Sequence, residues 1–253
     1  MQYTIYNEHI QDKIFIMIPA LGERKEIYEN LAQHLDTYKV ICFDLPGHHQ
    51  YIVEDFSIHS YIKNLHEQLT KLGIEKAHWM GNSIGAWVIQ SYYTNYTKSV
   101  ESLWLLDGGY FFKRHYNDES IVLPMTERYE DIVEAVETLA ANLSDYDFFK
   151  RYFLHNFVQE QGYYKHHANE KVVNALAKEV DTIDFCADIF DIPVFLCISE
   201  EAYEDELTQI RVTAFEQKHQ LKAVIIPNSQ HLLPLTNSDD LAYLINTKNP
   251  LSL

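Results

Sequence analysis

Short apolar runs alternate along this chain with longer stretches in which apolar positions recur every three or four residues. The runs have the pattern of strands buried on both faces, and the longer stretches that of helices packed against a sheet. KIFIMI at 13–18, KVICF at 39–43, AHWM at 77–80, the run at 103–106, PVFLCI at 193–198 and AVII at 223–226 predict strands, with QYTIY at 2–6 as an edge strand. Ile27, Leu31, Ala32 and Leu35 mark a first helix. Tyr61, Leu65, Leu69 and Leu72 mark a second over 57–72, with Gly73 as its stop. Further helices are predicted from 84 to about 96, over 205–219 and over 239–246.

Between 110 and 189 the pattern changes. Ile132, Val133, Val136, Leu139 and Ala140 share one helix face, Phe148, Phe149, Tyr152 and Phe153 share another, and no strand is legible. A segment of roughly 80 residues is far longer than an ordinary connection. The expected organisation is therefore an α/β core over 1–109 and 190–253, built on a mostly parallel sheet with helices on both faces, and a helical lid inserted at 110–189.

Hydrophobic residues make up 47% of the 253 positions and charged residues 23%, a globular balance that excludes extended disorder. Twenty basic against 37 acidic residues give a net charge of −17, which repels phosphate backbones and anionic lipid. A small-molecule substrate is expected, rather than nucleic acid or a membrane surface. Cys42, Cys186 and Cys197 are too few for a disulfide framework, and Cys42 and Cys197 lie in apolar runs as buried thiols do. The first 13 residues lack a basic segment followed by an apolar stretch, and no apolar run approaches a membrane span. Together these predict a soluble, cytoplasmic protein. Nothing in the pattern fixes an oligomeric state.

The sharpest chemical signal is G-N-S-I-G at 81–85, between an apolar run and a helical stretch. A serine there sits in a tight strand-to-helix turn that lifts its hydroxyl above the sheet edge. Gly81 and Gly85 leave room for the turn, and the helix start behind Ser83 supplies oriented N–H groups. The histidine pairs His48-His49 and His166-His167 have no carboxylate or cysteine at ligand spacing, so no metal is expected. The first pair reads as turn residues and the second as solvated lid residues. Neither a G-x-G-x-x-G nor a P-loop is present, and no cofactor is expected.

With that elbow in place, the chain resembles the α/β-hydrolase superfamily over nearly its whole length. I-P-A-L-G (18–22) lies where the family has the loop after its first buried strand, and F-D-L-P-G-H (43–48) looks like the family's D-x-P-G-H turn. N-S-Q-H-L-L-P (228–234) lies where the family places its histidine, and the 110–189 insertion falls at the usual lid position. The resemblance implies a catalytic triad with Ser83 as nucleophile and His231 as general base. It implies an oxyanion hole from the backbone N–H groups of Leu21 and Ile84. Pro19-Ala20 stand where the family has His-Gly; proline lacks an N–H, but the donor needed lies one or two residues later.

Two places could supply the third member. Asp107 ends the strand before the lid and is followed by two glycines; the alternative is the acidic loop holding Glu200, Glu201, Glu204 and Asp205. Lid aromatics such as Tyr110, Phe111, Tyr152 and Phe153 either pack among themselves or roof a pocket. The expected activity is that of a serine hydrolase on a small, largely apolar carboxylic ester or related acyl compound. The alternatives are a hydrolase-fold binding protein or a triad enzyme of other chemistry, such as a C–C hydrolase or lyase.

Overall fold

The computed structural model describes residues 1–49, 51, 53–111, 128–131, 133, 150, 152–154, 156–182 and 190–248. Its strands and helices are β1 (Tyr3–Tyr6), β2 (Ile14–Ile18), α1 (Glu29–Gln33), β3 (Lys39–Phe43), α2 (Ile58–Lys71), β4 (Ala77–Asn82), α3 (Ile84–Asn95) and β5 (Val100–Leu106). There follow β6 (Arg128–Tyr129), β7 (Phe157–Glu160), β8 (Tyr163–His166), α4 (Glu170–Thr182), β9 (Val194–Ser199), α5 (Glu200–Tyr203) and α6 (Glu206–His219). The chain closes with β10 (Val224–Ile226), α7 (Leu233–Thr236) and α8 (Ser238–Thr247).

Seven strands form one sheet in the order β1-β3-β2-β4-β5-β9-β10. Only β1 runs antiparallel, pairing Tyr3 with Phe43 through to Tyr6 with Val40; every other pairing in this sheet is parallel. The apolar runs are continuous because each strand buries alternate residues on opposite faces. On one face Ile16, Ile41, Trp79 and Leu105 pack against α2 and α3 through Leu65, Val88 and Tyr92. On the other Met17, Cys42, Met80 and Trp104 pack against α1 and α8 through Leu31, Leu241 and Ile245. The mostly parallel sheet covered on both faces is the predicted core. Cys42 and Cys197 are buried free thiols within it. No helix among the described residues is long and apolar enough to cross a membrane.

The inserted segment departs from the expectation of helix alone. Among its described residues it holds α4 and also a three-stranded antiparallel sheet in the order β6-β8-β7. β7 and β8 form a hairpin across Gln161 and Gly162, whose φ values of 53° and 87° both lie in the left-handed region that two-residue hairpin turns require. The strands were illegible because FVQE and YYKH are half-exposed and carry no apolar run. The helix face predicted over 132–140, the aromatics Phe148 and Phe149, and Cys186 lie outside the described residues except at Val133.

Candidate active site

Parallel strands place the ends of β2, β4, β5, β9 and β10 along one edge of the sheet, and the candidate residues follow directly from those ends. Ser83 joins β4 to α3 with φ 53° and ψ −120°, a strained conformation for a residue with a side chain. Its backbone N–H donates to the Leu106 carbonyl at 2.8 Å, which locks the turn to the neighbouring strand. A Cβ on Gly81 would lie 2.2 Å from the Gly85 carbonyl group, and one on Gly85 would lie 2.3 Å from the Ile18 oxygen. The turn therefore tolerates nothing larger than glycine at either flank. Ile84 opens α3, so its N–H has no acceptor within the helix and is available to a ligand.

Asn82, at the first of the two variable positions of the motif, is fully buried. Its side-chain amide donates to the Leu106 carbonyl at 3.1 Å and to the His231 carbonyl at 3.0 Å. It thus ties the elbow to the histidine loop 149 residues away. Only the spacing of the motif drew attention to this position, and its role was invisible in the sequence.

His231 follows β10, and its Nδ1 lies 3.7 Å from Asp107 Oδ2. That is ion-pair distance, slightly outside hydrogen-bond range, and a loop movement of less than an ångström closes it. Asp107 is buried and adopts φ 43° at the end of β5. Both its oxygens are held by Ser199: the backbone N–H donates to Oδ1 at 2.8 Å and the hydroxyl donates to Oδ2 at 2.5 Å. Sequence reasoning did not single out Ser199, whose only signal was its place at the end of an apolar strand.

The acids of the 200–205 loop are engaged elsewhere. Glu200 accepts the Asn228 N–H at 2.8 Å, Glu201 accepts from the Gln230 amide at 3.4 Å, and Asp205 caps α6 through the Thr208 N–H at 2.8 Å. Glu204 is exposed. Two of these residues therefore shape the histidine loop from outside, while Asp107 faces the imidazole.

The loop after β2 is fixed by three sets of contacts. Asp44, from the D-x-P-G-H turn, accepts the Lys25 N–H at 2.8 Å and pairs with the Lys25 ammonium at 3.1 Å. Gly22 is held on both sides by histidines. Its N–H donates to His48 Nε2 at 2.9 Å, and its carbonyl accepts from His167 Nε2 at 3.1 Å. His48 Nδ1 donates to the Pro46 carbonyl at 2.9 Å, and His167 Nδ1 accepts the His49 N–H at 2.9 Å. Each ring then carries one proton, and burial keeps both imidazoles below their ordinary pKa. His167 is buried against the core, contrary to its reading as a solvated lid residue. A polar pair after a polar strand carries no sign of burial until the hairpin brings it over the 48–49 turn. In the third set, Glu23 accepts hydrogen bonds from the Tyr152 hydroxyl and, at 3.1 Å, from the Asn156 amide, both in the insertion.

These elements enclose a cavity of about 470 Å³, within the range of small-molecule sites. Ser83, His231, Asp107, Leu21, Ile84 and Glu23 line it, together with Trp87 from the core, Tyr110 and Phe111 at the start of the insertion, and Ala177 and Val180 from α4. Ser83, His231, Asp107, Leu21 and Ile84 thus meet at one cavity, which the acids of the 200–205 loop do not line, and two of the lid aromatics contribute to its wall.

A serine on a glycine-flanked elbow, a histidine after the last strand and a covering insertion define a class of protein. The chain belongs to the alpha/beta hydrolase fold family, whose model matches residues 13–233. It is 27% identical over 110 residues to Lipase 3 of Moraxella sp. (strain TA144), a match covering 42% of this chain and 35% of that protein. The match to Lipase 1 of Psychrobacter immobilis is 29% over 110 residues with the same coverage, so the similarity spans about a third of the length of these lipases. Among solved structures, E-2-(acetamidomethylene)succinate hydrolase superposes with a TM-score of 0.78 at 16% identity, over 93% of this chain and 90% of that one. A thermophilic esterase from Thermogutta terrifontis superposes with a TM-score of 0.73 at 15% identity, over 98% and 92%. At such identities these two likenesses concern the fold.

Proposed function

We propose that this chain is a serine hydrolase acting on small, largely apolar carboxylic esters or related acyl compounds. The observation that carries the reading is the meeting, at one cavity, of a strained elbow serine, a histidine and a buried carboxylate facing that histidine. His231 takes the Ser83 hydroxyl proton as the oxygen attacks the acyl carbon. The carbonyl oxygen becomes an oxyanion, stabilised by the N–H groups of Leu21 and Ile84. Collapse of this intermediate expels the alcohol, which takes the proton from His231. Water, deprotonated by His231, then cleaves the acyl-serine and releases the acid. Asp107 orients the imidazole and stabilises its protonated form. The apolar walls from Trp87, Phe111 and Val180 favour an uncharged acyl or alkyl group beside the reacting carbon. The lipases and esterases among the similar proteins support ester chemistry.

The test is labelling with a fluorophosphonate probe and turnover of p-nitrophenyl esters of graded chain length. Stoichiometric labelling that vanishes in Ser83→Ala, with turnover lost in both Ser83→Ala and His231→Ala, is the expected outcome. A folded wild-type protein that takes no label and turns over no ester overturns the proposal.

A further inference from the structure

Glu23 has no part in that mechanism, yet it lies two residues beyond Leu21 and lines the same cavity as Ser83. Its Oε2 accepts from both the Tyr152 hydroxyl and the Asn156 amide, so the carboxyl group is held in one orientation. Its Oε1 has no hydrogen-bond partner among the described residues. The residue itself forms part of the cavity wall. The cations next to it in sequence are turned elsewhere: Arg24 and Lys25 both bond Glu26, and Lys25 also bonds Asp44. Among the described residues, the other ionisable groups in the cavity wall are Asp107, His231 and Arg211, whose guanidinium lies 4.2 Å from the centre of the Phe111 ring.

A carboxylate serving only to latch the loop to the insertion would be needlessly costly. A glutamine would accept the same two hydrogen bonds without a buried charge. The carboxylate is justified if something positive meets it. We propose that Glu23 forms a polar subsite for a protonated amine, so that the substrate carries an ammonium group a short spacer away from the carbonyl attacked by Ser83. The proposal rests on the hydrolase reading for that carbonyl, but the amine subsite itself is testable without turnover. Burial pushes the Glu23 carboxyl above its ordinary pKa, while the Tyr152 and Asn156 hydrogen bonds and positive charge on His231 pull it back. A bound ammonium acts in the same direction as the latter groups, so binding and ionisation of Glu23 reinforce each other. The net charge of −17 further favours the approach of cations.

The experiment compares n-butylammonium with 1-butanol, which have similar size and differ in charge. Binding is measured by ligand-observed NMR at about 0.15 M salt, where surface attraction is screened. Protection of Ser83 from the fluorophosphonate probe then locates the bound probe in this cavity. The expected result is that n-butylammonium binds roughly tenfold or more tightly than 1-butanol, as a charge-assisted hydrogen bond requires, and slows labelling of Ser83. In Glu23→Gln, which keeps both acceptor contacts, the preference disappears. Equal binding of the two probes, or a preference that survives Glu23→Gln, overturns the subsite. If Glu23→Gln does not fold, the wild-type protein still decides, because failure of n-butylammonium to protect Ser83 overturns the proposal. Failure of the hydrolase reading shows itself separately, as absence of labelling with no amine present.

Discussion

Replacing Ser199 with alanine tests whether the orientation of Asp107 governs the rate. Ser199 holds both oxygens of Asp107, through its N–H at 2.8 Å and its hydroxyl at 2.5 Å. Ser199→Ala leaves the first bond and removes the second, a charge-assisted contact to a buried carboxylate that is worth about 1.5–3 kcal/mol. The hydroxyl also caps α5 by accepting the Ala202 N–H at 3.2 Å, a contact worth about 1 kcal/mol. The expected loss of stability is therefore about 2.5–4 kcal/mol, read as a lower urea midpoint at unchanged slope. The catalytic effect is separate. Without the hydroxyl, Asp107 Oδ2 is free to rotate away from His231 Nδ1, 3.7 Å distant. The expected fall in kcat is roughly 10–100-fold, the usual consequence of losing a group that orients a catalytic side chain. KM should change little, because Ser199 does not line the cavity. Ser199→Thr keeps the hydroxyl and should restore most of kcat. The assay is steady-state hydrolysis of p-nitrophenyl butyrate beside urea unfolding of the same preparations. A variant that loses the expected stability but keeps full kcat would show that fixing this carboxylate has no bearing on the chemistry.

Asp107→Asn should lower kcat by roughly 10⁴, the scale set by the corresponding change in a serine protease triad, while Glu200→Gln, Glu201→Gln, Glu204→Gln and Asp205→Asn keep rates near wild type. Steady-state kinetics of the five variants decides it, and a large loss confined to one of the loop acids would transfer the role there. Acid should weaken the fold through His166, whose pKa burial lowers from 6.5 to about 4, with the neighbouring His48 adding to the effect. The unfolded chain then binds the proton first, so stability present above about pH 6.5 is lost as pH falls toward about 4, by about 2 kcal/mol at about pH 5. Urea unfolding at pH 7.5 and pH 5 should show a smaller acid loss in His166→Gln than in wild type, and equal losses would contradict the half-buried, neutral state.

What the sequence revealed depended on local pattern. Lys39–Phe43 reads as a buried strand because both faces of the sheet are covered and every position after Lys39 is apolar. The elbow was legible because Gly81 and Gly85 are each forced by a backbone atom less than 2.5 Å from where a Cβ would lie, a constraint that leaves a fixed spacing. What stayed hidden depended on long-range contact. The proximity of Asp107 to His231 and its hold by Ser199, 92 residues away, are long-range contacts, and nothing in either local sequence records them. The role of Asp205 is local, capping α6, whereas Glu200 holds the Asn228 N–H 28 residues away. The hairpin of the insertion was missed for a related reason. Its stability comes from the turn at Gln161-Gly162 and from packing, while its strands face solvent in part and alternate weakly.

The contacts around Gly22 join two parts of the molecule that the sequence separates. His48 comes from the turn after β3 and takes the Gly22 N–H, while His167 follows the hairpin of the insertion and reaches the Gly22 carbonyl, 145 residues away. Tyr152 and Asn156 hold Glu23 from the same side. The peptide groups flanking the Leu21 N–H are thus set jointly by core and insertion. Displacing the insertion would remove the His167 and Glu23 contacts together and leave Gly22 tied only through His48. A donor aimed at a developing oxyanion is effective only if it needs no reorganisation when charge appears. The covering segment therefore does two things at once: it closes the apolar cavity with Ala177 and Val180, and it stiffens the loop on which Leu21 sits. Substitutions at His167 should consequently act on the rate more than on substrate affinity, since the ring is absent from the cavity wall but governs the backbone that is part of it.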